Sequence, residues 1–486
     1  MNGITRMNKK SVILAVLIFP LLSSCSVFPD TWGEPEVDHV TLSEPASSLD
    51  VPTNANSVGW TWDAPDQTSV THVSPIPYGF SVSVSDGVIG VNGDTGDELW
   101  RYRRPGENAT GTSVTPNGET VVVSYSAGEE ETEDNADPPL LHEIVLIDSS
   151  SGDIKGTRVT EFVDMGIVAN QVTSFASVSE QIGILSDDSR IIYRDNERNG
   201  TDVVSLDLEN GEELWRISPT QSDGNADRIF VPRNAVVSRD VLILSSTFMD
   251  RSVISGPDAG ERQDHMISLM GIDVATGTEI WRHELEVNAP IETLPFKLDV
   301  EQSSGMLTAV ARSNNYHGEW ILDPTNGEVL TDATFFTEQS DTVVGIMEEA
   351  IVSVREVSDG DEYEYSYSNL SGEIQKSINV EAPLERWQES FILTLEDSIT
   401  WLDVNETGPS SWNQAQLVVT DWENGETRVV DLGIEVQRRP NDDGSLGTFA
   451  PTPTPVNMTL GPGALVITED LMAENGEPRR IVGLVP

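Results

Sequence analysis

An all-β fold assembled from one repeated hairpin is predicted by three features of the sequence. The first is a pattern met seven times, in which an apolar strand leads to a short polar residue, three variable residues, a Gly and a second strand. The second is its period. The turn glycines Gly96, Gly152, Gly211, Gly277, Gly327, Gly372 and Gly425 stand 56, 59, 66, 50, 45 and 53 residues apart, and a period of that size marks an array of one supersecondary unit. The third is the alternation before each turn, where apolar residues sit five and seven positions ahead of the Gly, as in Val91 and Ile89 or Ile272 and Met270. Spacing by two keeps them on one face of a strand.

Four residues before each Gly stand Asn92, Asp148, Asp207, Asp273, Asp323, Ser368 and Asp421. A short polar side chain there accepts backbone N–H groups two residues on, and Gly takes the left-handed conformation that closes the loop. The strand after the turn opens with Leu99-Trp100, Leu214-Trp215 and Ile280-Trp281 in the clearest copies. Neighbouring residues point to opposite faces, so both faces of this strand are expected to be covered, as in blades sandwiched radially between their neighbours.

Upstream strands are expected at Thr120–Ser124, Gln181–Leu185, Val241–Ser245, Met306–Ala311, Ala350–Val354 and Phe391–Leu395. With them each unit holds roughly four strands, one blade of a β-propeller. The runs Ala464–Thr468 and Arg480–Val485 begin an eighth unit that lacks its last strand. Val58-Gly59-Trp60-Thr61-Trp62 resembles Leu99-Trp100-Arg101-Tyr102, so an N-terminal strand is expected to complete that unit and close the ring. Eight four-stranded blades are expected, with seven as the alternative.

The apolar-Asp-x-x-[Thr/Asn]-Gly-x-x-Leu-Trp pattern, strongest at Gly96, Gly211 and Gly277 and spanning Trp60 to the C-terminus, resembles the PQQ-like repeat of quinoprotein propellers and their cofactor-free relatives. In architecture the chain looks like the lipoprotein propeller of the outer-membrane β-barrel assembly machinery. The resemblance implies two functions. One is a PQQ-dependent quinoprotein dehydrogenase, with cofactor at the axis over a Trp platform, calcium held by Glu and Asn, an Asp base and often a vicinal Cys pair. The other is a non-catalytic protein-binding scaffold or sensor. Cys25 is the single Cys, so the Cys pair cannot form, and no motif matches the calcium ligands or base. Trp100, Trp215 and Trp281 sit at repeat positions and are expected to pack between blades. The scaffold is therefore expected, with no catalytic residue, cofactor or metal.

Residues 1–24 read as a signal peptide. Arg6, Lys9 and Lys10 precede an apolar run from Val12 to Leu22, and Ser23-Ser24-Cys25 follow. The run is shorter than the ~20 residues a spanning helix needs. Leu22-Ser23-Ser24-Cys25 resembles the bacterial lipobox, which implies that Cys25 carries diacylglyceryl and becomes the mature N-terminus. More than one acyl chain gives stable anchoring. Residues 25–54, rich in Ser, Pro, Asp and Glu, are expected to be a tether, and 55–486 the propeller. An extracytoplasmic, lipid-anchored location follows. Ser26 after the Cys points to the outer membrane if the host has one.

A net charge of −53 repels nucleic acid and anionic lipid, which excludes nucleic-acid partners and leaves proteins. Glu129–Asp137 and Asn441–Asp443 read as solvated acidic insertions, the latter in a loop ending in Pro451–Pro455, since neither has the geometry of a calcium loop. His39, His72, His142, His265, His283 and His317 are scattered, and no hydrolase elbow or phosphate-binding loop is present.

Overall fold

Among the described turns of the repeat, a capping side chain holds the loop. In the computed structural model, Asn92 Oδ1 accepts the N–H groups of Asp94 and Thr95 at 3.0 and 3.1 Å. Gly96, at φ 73°, donates to the Asn92 carbonyl at 2.9 Å. Asp148, Asp273, Asp323 and Asp421 repeat the arrangement with Gly152, Gly277, Gly327 and Gly425. The sixth copy differs from the expectation. There the cap is Asn369, which accepts from Ser371 and Glu373, and Gly372 bonds its carbonyl. The loop is one residue shorter, and Ser368 is left buried in the strand.

The structure describes residues 36–129, 140–160, 166–169, 173–174, 182–187, 190–195, 202–207, 212–218, 234–247, 265–287, 296–300, 305–313, 316–332, 342–346, 350–358, 362–381, 392–405, 412–437, 457–468 and 480–486. The chain divides into a unit of residues 1–36 and a second of Val37–Pro486. Of the first, only Glu36 is described. Gly211 also lies outside the described residues.

In the second unit the described strands form eight sheets. The first runs Val70–Ile76, Gly79–Val84, Gly87–Asn92 and Glu98–Arg103, each strand antiparallel to the last. The next six repeat this up-and-down order along the chain. The last sheet takes Asn457–Gly461, Ala464–Thr468 and Arg480–Val485 from the C-terminus and Ser57–Asp63 from the N-terminus, with Trp60 opposite Gly483. Three sheets hold a fifth strand rather than the expected four: Asp38–Val40 on the first, Gly166–Ala169 on the third and Thr173–Ser174 on the fourth. Gly166–Ala169 pairs in parallel with Ile182–Asp187.

The apolar residues are buried between sheets. One cluster joins Val236, Ile243 and Leu269 of the fourth sheet to Leu307, Ala309 and Trp320 of the fifth. Others join the eighth to the first through Trp60, Phe80, Val82 and Val466, and the seventh to the eighth through Leu417, Val419, Leu465 and Val482. The innermost strand Val70–Ile76 lies beside both Ala109–Val114 and Asn457–Gly461. Small antiparallel sheets, laid face to face in chain order, are the architecture of a β-propeller.

The seam between sheets is made by the repeat's Trp. Trp100 donates from Nε1 to the carbonyl of Ser149 at 2.7 Å, Trp215 to Val274 at 2.8 Å and Trp281 to Pro324 at 2.8 Å. Each acceptor lies one residue past the capping Asp of the following sheet's turn. A Cβ added to that turn's Gly would collide with the same indole, at 2.7 Å for Gly152 on Trp100, 2.7 Å for Gly277 on Trp215 and 2.5 Å for Gly327 on Trp281. Trp60 makes the same contacts with the first sheet, donating to Gly93 at 2.7 Å and lying 2.7 Å from a Cβ at Gly96.

Within its own sheet each indole covers a small residue. Trp100 stands opposite Gly90, Trp281 opposite Gly271, Trp60 opposite Gly483 and Trp215 opposite Ser205. A β-bulge immediately before the Trp recurs in all four, and bulges re-aim the side chain that follows. The second sheet reverses the sizes, setting Leu146 opposite Gly156.

The expectation that both faces of the outer strand are covered is corrected here. Leu214 and Ile280 are 43% and 47% exposed, because the outer strand stands at the rim and only the Trp side meets the neighbour.

Two glycines separate the seam from the turn. Gly277 and Gly425 share nearly the same left-handed φ, 69° and 68°, but nothing lies within 4 Å of a Cβ at Gly425. Gly425→Ala is expected to cost about 1–2 kcal/mol for the left-handed backbone alone. Gly277→Ala is expected to cost about 1–3 kcal/mol more, for crowding Trp215. Urea unfolding of both variants checks this, and equal losses would remove the seam's role.

Candidate interaction surface

Among the described residues, a set of interlinked charged side chains surrounds the outer strand of the first sheet. Arg104 is 6% exposed. Its Nη1 and Nη2 donate to the two Glu143 carboxylate oxygens of the second sheet at 2.8 and 2.7 Å, and its Nε and Nη2 to the Tyr102 hydroxyl at 3.2 and 3.0 Å. The guanidinium lies 4.3 Å from the Tyr125 ring centroid. Burial works against this charge, but the Glu143 and Tyr102 hydrogen bonds outweigh it, so Arg104 is held above its ordinary range. Burial likewise pushes the Tyr125 phenol up, with Tyr102 adding to it. Tyr125 donates to the Asp86 carbonyl at 3.0 Å, and Arg103 clamps the Asp86 carboxylate at 2.9 and 2.7 Å.

Onto this strand the chain lays an N-terminal strap. Asp38–Val40 pairs antiparallel with it, Asp38 opposite Arg103 and Val40 opposite Arg101. Arg101 Nε donates to both Asp38 oxygens at 2.9 Å, and its Nη1 to Glu98 at 2.5 Å. The His39 ring donates from Nε2 to the Gly152 carbonyl at 2.8 Å. Beyond it Leu42, Ala46 and Leu49 donate to Ser151, Ser150 and Pro77, and the Asp50 carbonyl accepts from Gly463. Residues 38–50 fall in the stretch expected to be a tether. Here they run along the first, second and eighth sheets, because their backbone groups find partners on those turns.

The outer strands of the third and fourth sheets repeat the first. Glu213-Leu214-Trp215-Arg216 and Glu279-Ile280-Trp281-Arg282 match Glu98-Leu99-Trp100-Arg101. Arg216 and Arg282 each pair with the Glu three residues back, at 2.8 and 2.9 Å. Among the described residues both edges present a half-exposed aliphatic residue, Leu214 and Ile280.

Cys25, most of the Glu129–Asp137 run and Asn441–Asp443 lie outside the described residues. The Trp residues weighed as a cofactor platform are at 9% exposure or less, with their indole N–H groups directed to the next turn. Among the described residues no group of three His, Cys, Asp or Glu is placed to hold a metal ion, and no helix is long and apolar enough to cross a membrane. The strap and its Asp38–Arg101 pair were missed from the sequence. The one signal was the pair of β-branched residues Val37 and Val40, inside a segment of otherwise loop-like composition.

No protein-family model and no curated protein matches the chain. Among solved structures it is similar to BamB from Moraxella catarrhalis, at 13% identity over 69% of this chain and 95% of that one, with a TM-score of 0.27. It is similar to a eukaryotic initiation factor at 8% identity over 91% and 94%, TM-score 0.40. The β-propeller domain of the Trilobed protease from Pyrococcus furiosus aligns at 12% identity over 79% and 98%, TM-score 0.36. The fold assignment rests on the strand order and seams described above.

The two arginine sites differ in what their removal exposes. Asp38 and Arg101 are about a third exposed, so Arg101→Met is expected to cost at most about 1 kcal/mol. It should speed amide exchange of residues 38–40. Arg104→Met leaves Glu143 and the buried Tyr102 hydroxyl without their donor and is expected to cost about 2–3 kcal/mol. Thermal denaturation and hydrogen exchange read both, and a larger loss for Arg101→Met would refute this ranking.

Proposed function

We propose that this chain is a lipid-anchored, extracytoplasmic β-propeller of eight blades, closed by the strand Ser57–Asp63, that binds other proteins and carries no chemistry of its own. Closure is supported by Trp60, which meets Gly93 and Gly96 as Trp100 meets Ser149 and Gly152. The protein-binding reading is carried by one observation. The charged groups of the first sheet's outer strand are engaged with one another, while the matching strands of two further sheets leave apolar side chains at the rim. Anchoring is supported by Leu22-Ser23-Ser24-Cys25 after a basic flank and a short apolar run. The net charge of −53 favours partners with a basic face.

Cys25→Ala is expected to release the protein from membranes and to abolish labelling by a palmitate analogue. Persistence of both would remove the anchor from the proposal. Affinity capture of the full chain from detergent-solubilised membranes is expected to recover a protein partner.

The dehydrogenase alternative is tested by a thermal melt with PQQ and calcium. No shift is expected. Binding at a ligand concentration one hundred times the dissociation constant would stabilise by about 2.7 kcal/mol. A clear upward shift, with dye-linked oxidation of alcohols or aldoses, would replace the scaffold by the enzyme.

A further inference from the structure

The first sheet shows how an outer edge of this fold accepts a strand. Asp38–Val40 adds antiparallel to Glu98–Arg103, with Val40 set opposite Arg101 and Asp38 opposite Arg103. The strap's acid answers the charges it meets, at 2.9 Å from Arg101 and 3.8 Å from Arg103. Arg101 does this while also holding Glu98, so the internal Glu–Arg pair leaves the edge open to an added strand.

The fourth sheet presents the same edge in the same frame. Arg282 pairs with Glu279 at 2.9 Å, as Arg101 pairs with Glu98. The strand Glu279–Val287 runs for 9 residues. Among the described residues no strand pairs with its outer side, and Ile280 at its head is 47% exposed. One position changes sign. Two residues past the arginine, where the first sheet has Arg103, stands Glu284, which is exposed.

We propose that the outer edge of Glu279–Val287 docks an extended segment of a partner protein, added as an antiparallel strand. The segment carries Lys or Arg opposite Glu284 and an aliphatic residue two positions on, opposite Arg282. This rests on the protein-binding reading above and supplies the partner's chemistry. Ladder hydrogen bonds give such an added strand its affinity, and alternate side chains give its specificity. Opposite charges facing across a strand pair stabilise it and like charges oppose it. Glu284 therefore favours a basic residue at the register position where Asp38 stands opposite Arg103, Arg282 being held by Glu279, and the net charge of −53 draws a basic segment in from a distance. The third sheet shares the Glu-Leu-Trp-Arg frame, but Ser218 fills the selecting position and bonds Asp202 at 2.6 Å. Its edge lacks the outward carboxylate.

The test uses two fluorescent peptides titrated against the full chain, whose own strap occupies the first edge. One has the strap sequence of residues 36–44, and the other the same sequence with Asp38→Lys. The Lys peptide is expected to bind several-fold more tightly than the Asp peptide, and to weaken as salt rises. Glu284→Lys is expected to invert the preference without changing the melting temperature, since the side chain is exposed. Equal binding of the two peptides, an unchanged preference in Glu284→Lys, or no saturable binding of either would overturn the proposal. Affinity capture from solubilised membranes with wild type and Glu284→Lys separates the two levels. A partner retained equally by both refutes the edge site and leaves the protein-binding reading standing. No partner with either refutes the reading itself.

Discussion

Where Trp60, Trp100, Trp215 and Trp281 stand, consecutive sheets are joined by an indole N–H that reaches the carbonyl one residue past the next turn's capping side chain, and features of the repeat follow from that geometry. The indole must lie flat on the turn, so the turn residue beneath it has no room for a Cβ: Gly152, Gly277 and Gly327 would each place one within 2.7 Å of the ring. The same Gly already supplies the left-handed φ, so one residue meets two constraints. The indole's other face lies over the neighbouring strand of its own sheet, which explains Gly90, Gly271 and Gly483 opposite the Trp. A buried carbonyl left without a donor costs about 1–3 kcal/mol, so the acceptor is the feature most resistant to loss.

The weaker copies of the repeat show which parts can be exchanged. At the fifth sheet Thr331 replaces the Trp, and its hydroxyl donates to the Leu370 carbonyl at 2.8 Å. Leu370 is one residue past the cap Asn369, so the acceptor is kept while the donor shrinks. At the second sheet the bulk moves across the ladder, from the Trp position to Leu146. At the seventh the residue past the cap is itself Trp422, edge-on to Tyr367 at 5.9 Å and bonded to the Leu395 carbonyl. The fifth sheet keeps the acceptor with a smaller donor, and the second and seventh keep a bulky side chain at the seam by other routes.

Charge is distributed with the same economy. A chain of net charge −53 concentrates three of its arginines in Arg101–Arg104, each facing a carboxylate. There they fasten the strap and bridge the first sheet to the second through Glu143. The strap covers the edge that would otherwise offer unpaired backbone groups, one of the ways proteins manage exposed strands. The same Glu-x-Trp-Arg frame on the fourth sheet has no strand added to it among the described residues.

Much of this was legible in the chain itself. Period-two apolar residues, a short polar cap and a turn Gly are local, and local sterics and hydrogen bonding determine them without reference to distant residues. The likeness of Trp60-Thr61-Trp62 to the repeat's outer strand carried its pairing with Arg480–Val485, because the side-chain pattern of a strand specifies its place in a ladder. What only the tertiary structure decided are contacts between residues far apart in sequence. The acceptor of Trp215 lies 59 residues away and that of Trp100 lies 49 away, and a repeat read along the chain cannot say which turn an indole meets. Asn369 took the capping role from Ser368 because strand register buried Ser368. Leu214 and Ile280 stayed at the rim because each outer strand has a neighbour on one face only. The strap was hidden because its partners are backbone groups on other sheets, which leave no mark on its own composition.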